Sequence, residues 1–227
     1  MGMDAAVSID AGRRADRAAG AMIGIAALGL LAALAAHPVV AASGIAEALP
    51  QIAAARLLDG VVHGAIIAVY AVQLVGFVLL ARRLGLDRMV PVAGLVALTL
   101  ASVAVVGATL LDGFVTPDLA LHYLAAPPER QAAAGDLLVL VGVTIQDATR
   151  LALVAEGMAT ILWSVPLWQH GHRGSAVLGF GAGSLPAAVI LVAAPRLMPH
   201  LLIGLLGLQC TWSLAVAGLL MRGRLNA

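Results

Sequence analysis

The amino-acid sequence predicts an all-α, polytopic transmembrane helical bundle with six crossings and both termini cytoplasmic. Composition is the first observation behind this. The chain of 227 residues is 62% hydrophobic and 11% charged, with a mean hydropathy of +1.02. A water-soluble domain is about half apolar and a quarter charged, so apolar surface on this scale calls for lipid as the solvent. Segmentation is the second. Apolar runs cover residues 21–42, 57–80, 90–111, 137–168, 176–193 and 201–220, each near or above the roughly 17–25 residues that a crossing helix needs. Charge placement is the third. The chain has no lysine, and all 13 basic residues are arginine. With a cytoplasmic N-terminus, Arg13, Arg14, Arg17, Arg82, Arg83, Arg88, Arg173, Arg222 and Arg224 lie inside, and Arg56, Arg130, Arg150 and Arg196 lie toward the other face. Nine against four is the asymmetry expected of cytoplasmic loops.

Residues 1–20 read as a polar cytoplasmic tail, 21–222 as a single transmembrane domain and 223–227 as a C-terminal tail. The start, "MGMDAAVSIDAGRRADRAAG", and the apolar run behind it resemble a signal peptide. That run is long for a signal core and carries His37 and Pro38, so a retained first helix is expected. Pro38 should end or bend it. The second segment stops at Arg82-Arg83 and the third at Asp112-Gly113. "ARRLGLDR" and "WQHGHRG" read as tight inner turns. The outer stretch "DGFVTPDLALHYLAAPPERQAAAGD" should form the longest loop, with "DLALHYLA" as a short interfacial helix; long loops often carry function. The fourth segment is too long for a simple crossing, so it should tilt or carry a separate outer element. Pro166 lies near its far end. Glycines in "VLGFGAGSLPAA" and "GLLGLQC" permit close helix approach, which suits intrachain packing, a homo-oligomer or a larger membrane complex.

The second segment is apolar apart from one side. Asp59, His63, Tyr70 and Gln73 recur at three- and four-residue spacing and therefore share a helix face. A polar stripe costs several kcal/mol per unsatisfied group in hydrocarbon, on the order of what an unpaired buried polar group costs anywhere, so this face should turn inward. Asp59 and His63 are four apart and can hydrogen-bond. The fourth segment offers Glu156 deep in an apolar run, and Asp147 with Arg150 three apart. The sixth adds Gln209, and Asp112 at the end of the third is placed to meet Arg150 or Arg56. These nine residues (Asp59, His63, Tyr70, Gln73, Asp112, Asp147, Arg150, Glu156 and Gln209) are the candidate lining of an outward-facing polar cavity. Ionisable groups inside a membrane are functional candidates by default. The competing account is that they tie helices together by hydrogen bonds.

The chemistry is less specific. A formal net charge of +1 lacks the basic footprint of a nucleic-acid binder. Cys210 is alone and can form no internal disulfide. No CxxC, P-loop, GxSxG or HExxH occurs, so no catalytic residue and no metal-ligand set is assigned, and the cofactor stays unknown. His63 with Asp59, Asp112 or Glu156 has the ligand types for a metal but no motif spacing. A bis-histidine haem would need His37 beside His63. The leading expectation is a non-enzymatic, multi-pass inner-membrane protein that binds or moves a small solute or protons through the cavity, with the lipid bilayer as its partner. The alternatives are a cofactor- or metal-dependent membrane enzyme using His63, and an accessory subunit of a larger membrane complex.

The stretch "ARRLGLDR" entering the third helix, "GATLLDGFVTPDLA" leaving it, and the long fourth helix with buried polar residues followed by two short ones resemble uncharacterised bacterial six-helix integral membrane proteins. The resemblance covers about residues 55–222. It implies the six-helix layout and carries no activity and no catalytic residue with it. The arginine-rich, lysine-free composition fits a GC-rich bacterium.

Overall fold

The computed structural model of the chain describes residues 2–193 and 199–225, with side chains from 12 to 192 and from 200 to 225. Arg196, counted above toward the outer face, lies outside the described residues. Within them the chain is helical, with no strand. Seven α-helices run in order: α1 (Gly2–Ala36), α2 (Ile45–Leu84), α3 (Met89–Leu110), α4 (Thr116–Tyr123), α5 (Pro128–Gln169), α6 (Arg173–Ala193) and α7 (Pro199–Met221). A π-helical turn, Leu111–Val115, joins α3 to α4. Counting α3 to α4 as one rod, six helices are long and apolar enough to cross a membrane. Leu57, Val61, Val96, Val103, Val139 and Leu140 are exposed on the outside of the bundle.

Helix boundaries follow local chemistry. α1 stops at Ala36 because the residue before Pro38 is disfavoured in helical geometry. Glu47 then accepts hydrogen bonds from the Ser43 backbone N–H (3.0 Å) and hydroxyl (2.8 Å), fastening the start of α2. Gly85 ends α2 with φ 101°, a left-handed conformation that glycine adopts without steric cost, and Gly171 (φ 82°) turns the chain between α5 and α6 in the same way. Pro128 occupies the first turn of α5, where its missing N–H would have no helical partner anyway.

The polar start is helical from Gly2 as part of α1, and Asp16 is buried on it with Arg83 Nε 3.6 Å away on α2. One expectation is corrected. The third helix does not end at Asp112-Gly113, and the long outer loop is mostly helix. The backbone widens by one residue over Leu111–Val115, and the Thr116 hydroxyl donates to the Leu111 carbonyl five residues back (2.9 Å). α4 continues from there, so only residues 124–127 link the third rod to the next. α5, at 42 residues, is about 63 Å long at the helical rise of 1.5 Å per residue. Its first turns stand beyond the bundle with the start of α2 and with α4, where Gly135 approaches Ile45.

The core divides along the bundle axis. Toward the arginine-rich end, Phe77, Trp163 and Trp212 stack in parallel, with interplanar angles of 2° to 4° and Phe77 ring centroids 4.7 and 5.8 Å from the two indoles. Small residues make this possible. A Cβ on Gly94 would meet the Trp163 indole, one on Gly179 would meet Ser164 and Trp212, and Gly157 and Gly183 bring α5 and α6 into backbone contact. The glycines of "VLGFGAGS" at 179 and 183 thus serve intrachain packing. Toward the opposite end, Leu30, Ile66, Tyr70, Leu153 and Leu206 surround a cavity.

Candidate functional site

The cavity, about 130 Å³, lies between α1, α2, α3, α5 and α7. Its walls are largely aliphatic: Leu30, Leu34, Ile66, Val105, Leu153 and Leu206. Polar groups occupy its two ends. His37, His63 and Asp112 mark one, and Tyr70 with Glu156 marks the other. His63 and Tyr70 are two turns apart on α2, about 10 Å at the helical rise. The histidine end is the mouth, since the side chains of His37 and Asp112 are 35% and 36% exposed.

At the deep end, Glu156 is buried on α5. The Tyr70 hydroxyl donates to Glu156 Oε2 (3.2 Å) and the Gln73 amide to Oε1 (3.0 Å). The stripe on α2 therefore faces α5, as its spacing predicts. Lipid could satisfy none of these groups, and here each has a partner.

At the mouth, four residues from three elements converge. His63 Nδ1–H donates to the Asp59 carbonyl oxygen one turn earlier (2.9 Å), and Asp59 Oδ1 is 3.0 Å from the same nitrogen. That contact is badly angled: Oδ1 is buried and has no hydrogen-bond partner, so the backbone carbonyl is what fixes the ring. His63 Nε2 lies 3.3 Å from Asp112 Oδ2. His37 closes the cluster from the end of α1. Its Nδ1–H donates to the Pro38 carbonyl (2.9 Å), its Nε2 is 3.6 Å from the same Asp112 oxygen, and its ring meets His63 edge to face with centroids 4.9 Å apart. The contact with the Asp112 carboxylate holds the His37 imidazole above its usual value, against burial, which lowers it. The π turn is what aims Asp112 inward, and Gly113 beside it leaves room for the His63 ring, which an added Cβ would overlap. Single π turns inside helices occur often at functional sites.

The sequence candidates are thus partly brought together. Asp59, His63 and Asp112 meet at the mouth, and Tyr70, Gln73 and Glu156 meet at the deep end. Asp112 pairs with neither arginine proposed for it. Arg56 pairs with Asp118 on α4 (2.9 Å), and Arg150 pairs with Asp147 (2.9 Å), whose side chain is largely exposed. Asp147 and Arg150 are not in the cavity lining because they lie one or two residues from Thr149 and Ala152, which do line it, and about 100° per residue turns them off that face of α5. Gln209 is buried on α7 outside the lining, and neither its amide nitrogen nor its oxygen has a hydrogen-bond partner among the described residues. The sequence offers His37 only as a haem ligand, yet it is central to the cluster. The edge-to-face contact of the two imidazoles leaves no gap between them for a macrocycle, whose two axial ligands must sit on opposite faces. The signal for His37 was its place one residue before the helix-ending Pro38, at the same depth as His63. No family model, curated protein or solved structure matches the chain, so the site is read from its own geometry.

Proposed function

We propose that the protein spans the cytoplasmic membrane of a bacterium six times, with both termini cytoplasmic, and binds a small solute in the cavity between α1, α2, α3, α5 and α7. The orientation rests on the arginine asymmetry, which puts the mouth at the outer face. The single observation that carries the binding role is the shape of the cavity: a largely aliphatic barrel with its ionisable groups at the two ends, and with the hydroxyls of the two wall threonines, Thr109 and Thr149, bonded back to their own helices. A site of this kind selects an apolar body by its walls and fixes one polar group by a few placed partners. A structural role alone would favour filled space, because voids in a core forfeit packing contacts. The solute's polar group faces His37, His63 and Asp112, and its body extends toward Tyr70 and Glu156.

Two experiments test this. Small molecules released by denaturing the purified wild type are compared with those from Ala152→Phe, which fills the cavity from the α5 wall. A compound present in the first and missing from the second, at equal thermal stability, is the expected result. The same set from both ends the binding reading. For orientation, a cysteine at position 126 in a Cys210→Ala background should react with an impermeant thiol reagent from outside intact cells. Reaction from the cytoplasmic side alone inverts the topology.

A further inference from the structure

We infer that His37, His63, Asp59 and Asp112 bind one divalent transition-metal ion, of the zinc, iron or cobalt class, at the mouth of the cavity. The inference deepens the solute-binding reading, since the ion would face the solute's polar group, but its test is separate.

The first argument is convergence. His37, Asp59 and His63 each offer a ligand atom, and these atoms lie within 4.8 Å of one another. Asp112 Oδ2 sits 3.3 Å from His63 Nε2 and 3.6 Å from His37 Nε2. With bonds of about 2.0–2.1 Å to nitrogen and oxygen, the donor atoms of a tetrahedral site are about 3.3–3.4 Å apart. The two Nε2 atoms and the Asp112 oxygen are therefore already near the bound spacing, while the Asp59 carboxylate, which stands on the Nδ1 side of His63, has to turn toward Nε2 to join them.

The second argument is the hydrogen-bond inventory. Each imidazole spends its Nδ1–H on a backbone carbonyl, His37 on Pro38 and His63 on Asp59. A neutral ring then presents a lone pair at Nε2. Both Nε2 atoms approach a carboxylate oxygen, so with both rings neutral three acceptors converge with no donor among them. Orientation of the ligating ring by a hydrogen bond from its other nitrogen is the usual support of a metal-bound histidine.

The third argument is charge and burial. Asp59 is 8% exposed, and its Oδ1 has no hydrogen-bond partner, which is costly for a carboxylate. Two carboxylates and two neutral imidazoles carry a charge of −2, which one divalent cation neutralises at a single point. Two histidines with carboxylates suit zinc, and with open positions they also suit ferrous iron.

The test uses full-length protein carrying a tag without histidine, stripped with a chelator and titrated with Co²⁺. The expected result is one equivalent of Co²⁺ bound with visible ligand-field absorption, bleached by Zn²⁺. His37→Ala should weaken Co²⁺ binding at least about 100-fold, since loss of an outer-shell partner alone costs about 10–100-fold, and so should His63→Ala. If His63→Ala does not fold, His37→Ala decides alone, since His37 lies at a helix end. His122→Ala and a His170→Ala/His172→Ala double variant should bind as wild type. Wild type that binds no Co²⁺ or Zn²⁺, or a His37→Ala variant that binds as well as wild type, overturns the inference. Ala152→Phe separates the two readings: it should lose the solute and keep the ion. Loss of Co²⁺ binding there would move the ion away from the mouth and refute this site. A metal-free wild type that still retains a solute would refute the ion and leave the cavity reading standing.

Discussion

The two halves of the bundle solve opposite problems with largely the same helices. Toward the arginine-rich end, α2, α3, α5, α6 and α7 meet through large aromatics set against glycine: Phe77, Trp163 and Trp212 in parallel, with Gly94 and Gly179 giving them room. Toward the mouth α2, α3, α5 and α7, with α1 in place of α6, hold aliphatic walls apart and put histidine and carboxylate side chains into the gap. Van der Waals packing is the main force available between helices in lipid, because the tails are as apolar as the side chains. A bundle that gives up packing in one half must recover it in the other. The basic half can thus be read as the clamp that lets the mouth half stay open.

This contrast sets an order of expected effects. Trp163→Ala should be the most damaging substitution, since it removes a fully buried indole from the stack and leaves the Pro91 carbonyl without its 3.2 Å partner. A loss of about 3–5 kcal/mol is typical of aromatic-to-alanine changes in a core, read as thermal unfolding by circular dichroism in detergent. A loss no larger than that of a surface variant would dissolve the division into halves. Gly157→Ala tests the same half by addition, because the new methyl meets the Gly183 carbonyl. Overpacking of this sort costs about 1–3 kcal/mol. In the mouth half, Glu156→Leu should cost about 2 kcal/mol, because it leaves the Tyr70 hydroxyl and Gln73 amide buried without an acceptor. The triple variant Tyr70→Phe/Gln73→Leu/Glu156→Leu should recover most of that loss, as apolar replacement of a whole buried polar set often does. If the triple variant is less stable than Glu156→Leu alone, the polar set is structural glue. Arg56→Ala should matter least, at under about 1 kcal/mol, because both partners of the Arg56–Asp118 pair are mostly exposed.

The two halves also differ in how far the sequence announces them. The second-helix stripe was legible because a 3.6-residue period places Asp59, His63, Tyr70 and Gln73 on one face whatever the neighbours are, and only another helix could satisfy them. Glu156 as their partner followed from the same reasoning, since it is the one carboxylate deep in the fourth apolar run. The mouth was legible only in part. Asp112 reaches the histidines through a π turn, and nothing in "GATLLDGFVTP" announces one: Gly113 and Pro117 read more naturally as a helix end. His37 enters from a different helix, and an interhelical meeting has no local period. Asp147 and Arg150 misled because a charged pair three residues apart satisfies itself on any face, so its presence says little about which way the face points. The aromatic clamp was not foreseen either, because stacking of Phe77, Trp163 and Trp212 depends on how three distant segments cross.

The most direct test of an open mouth half above a closed basic half is cysteine accessibility in a Cys210→Ala background. Thr109→Cys places a thiol in the cavity wall, and Ala97→Cys places one in the packed half; both positions are buried on α3. The account predicts that a small, water-soluble thiosulfonate reagent added outside the cell modifies Thr109→Cys and leaves Ala97→Cys untouched. Equal protection of both thiols, or modification of Ala97→Cys alone, would contradict it.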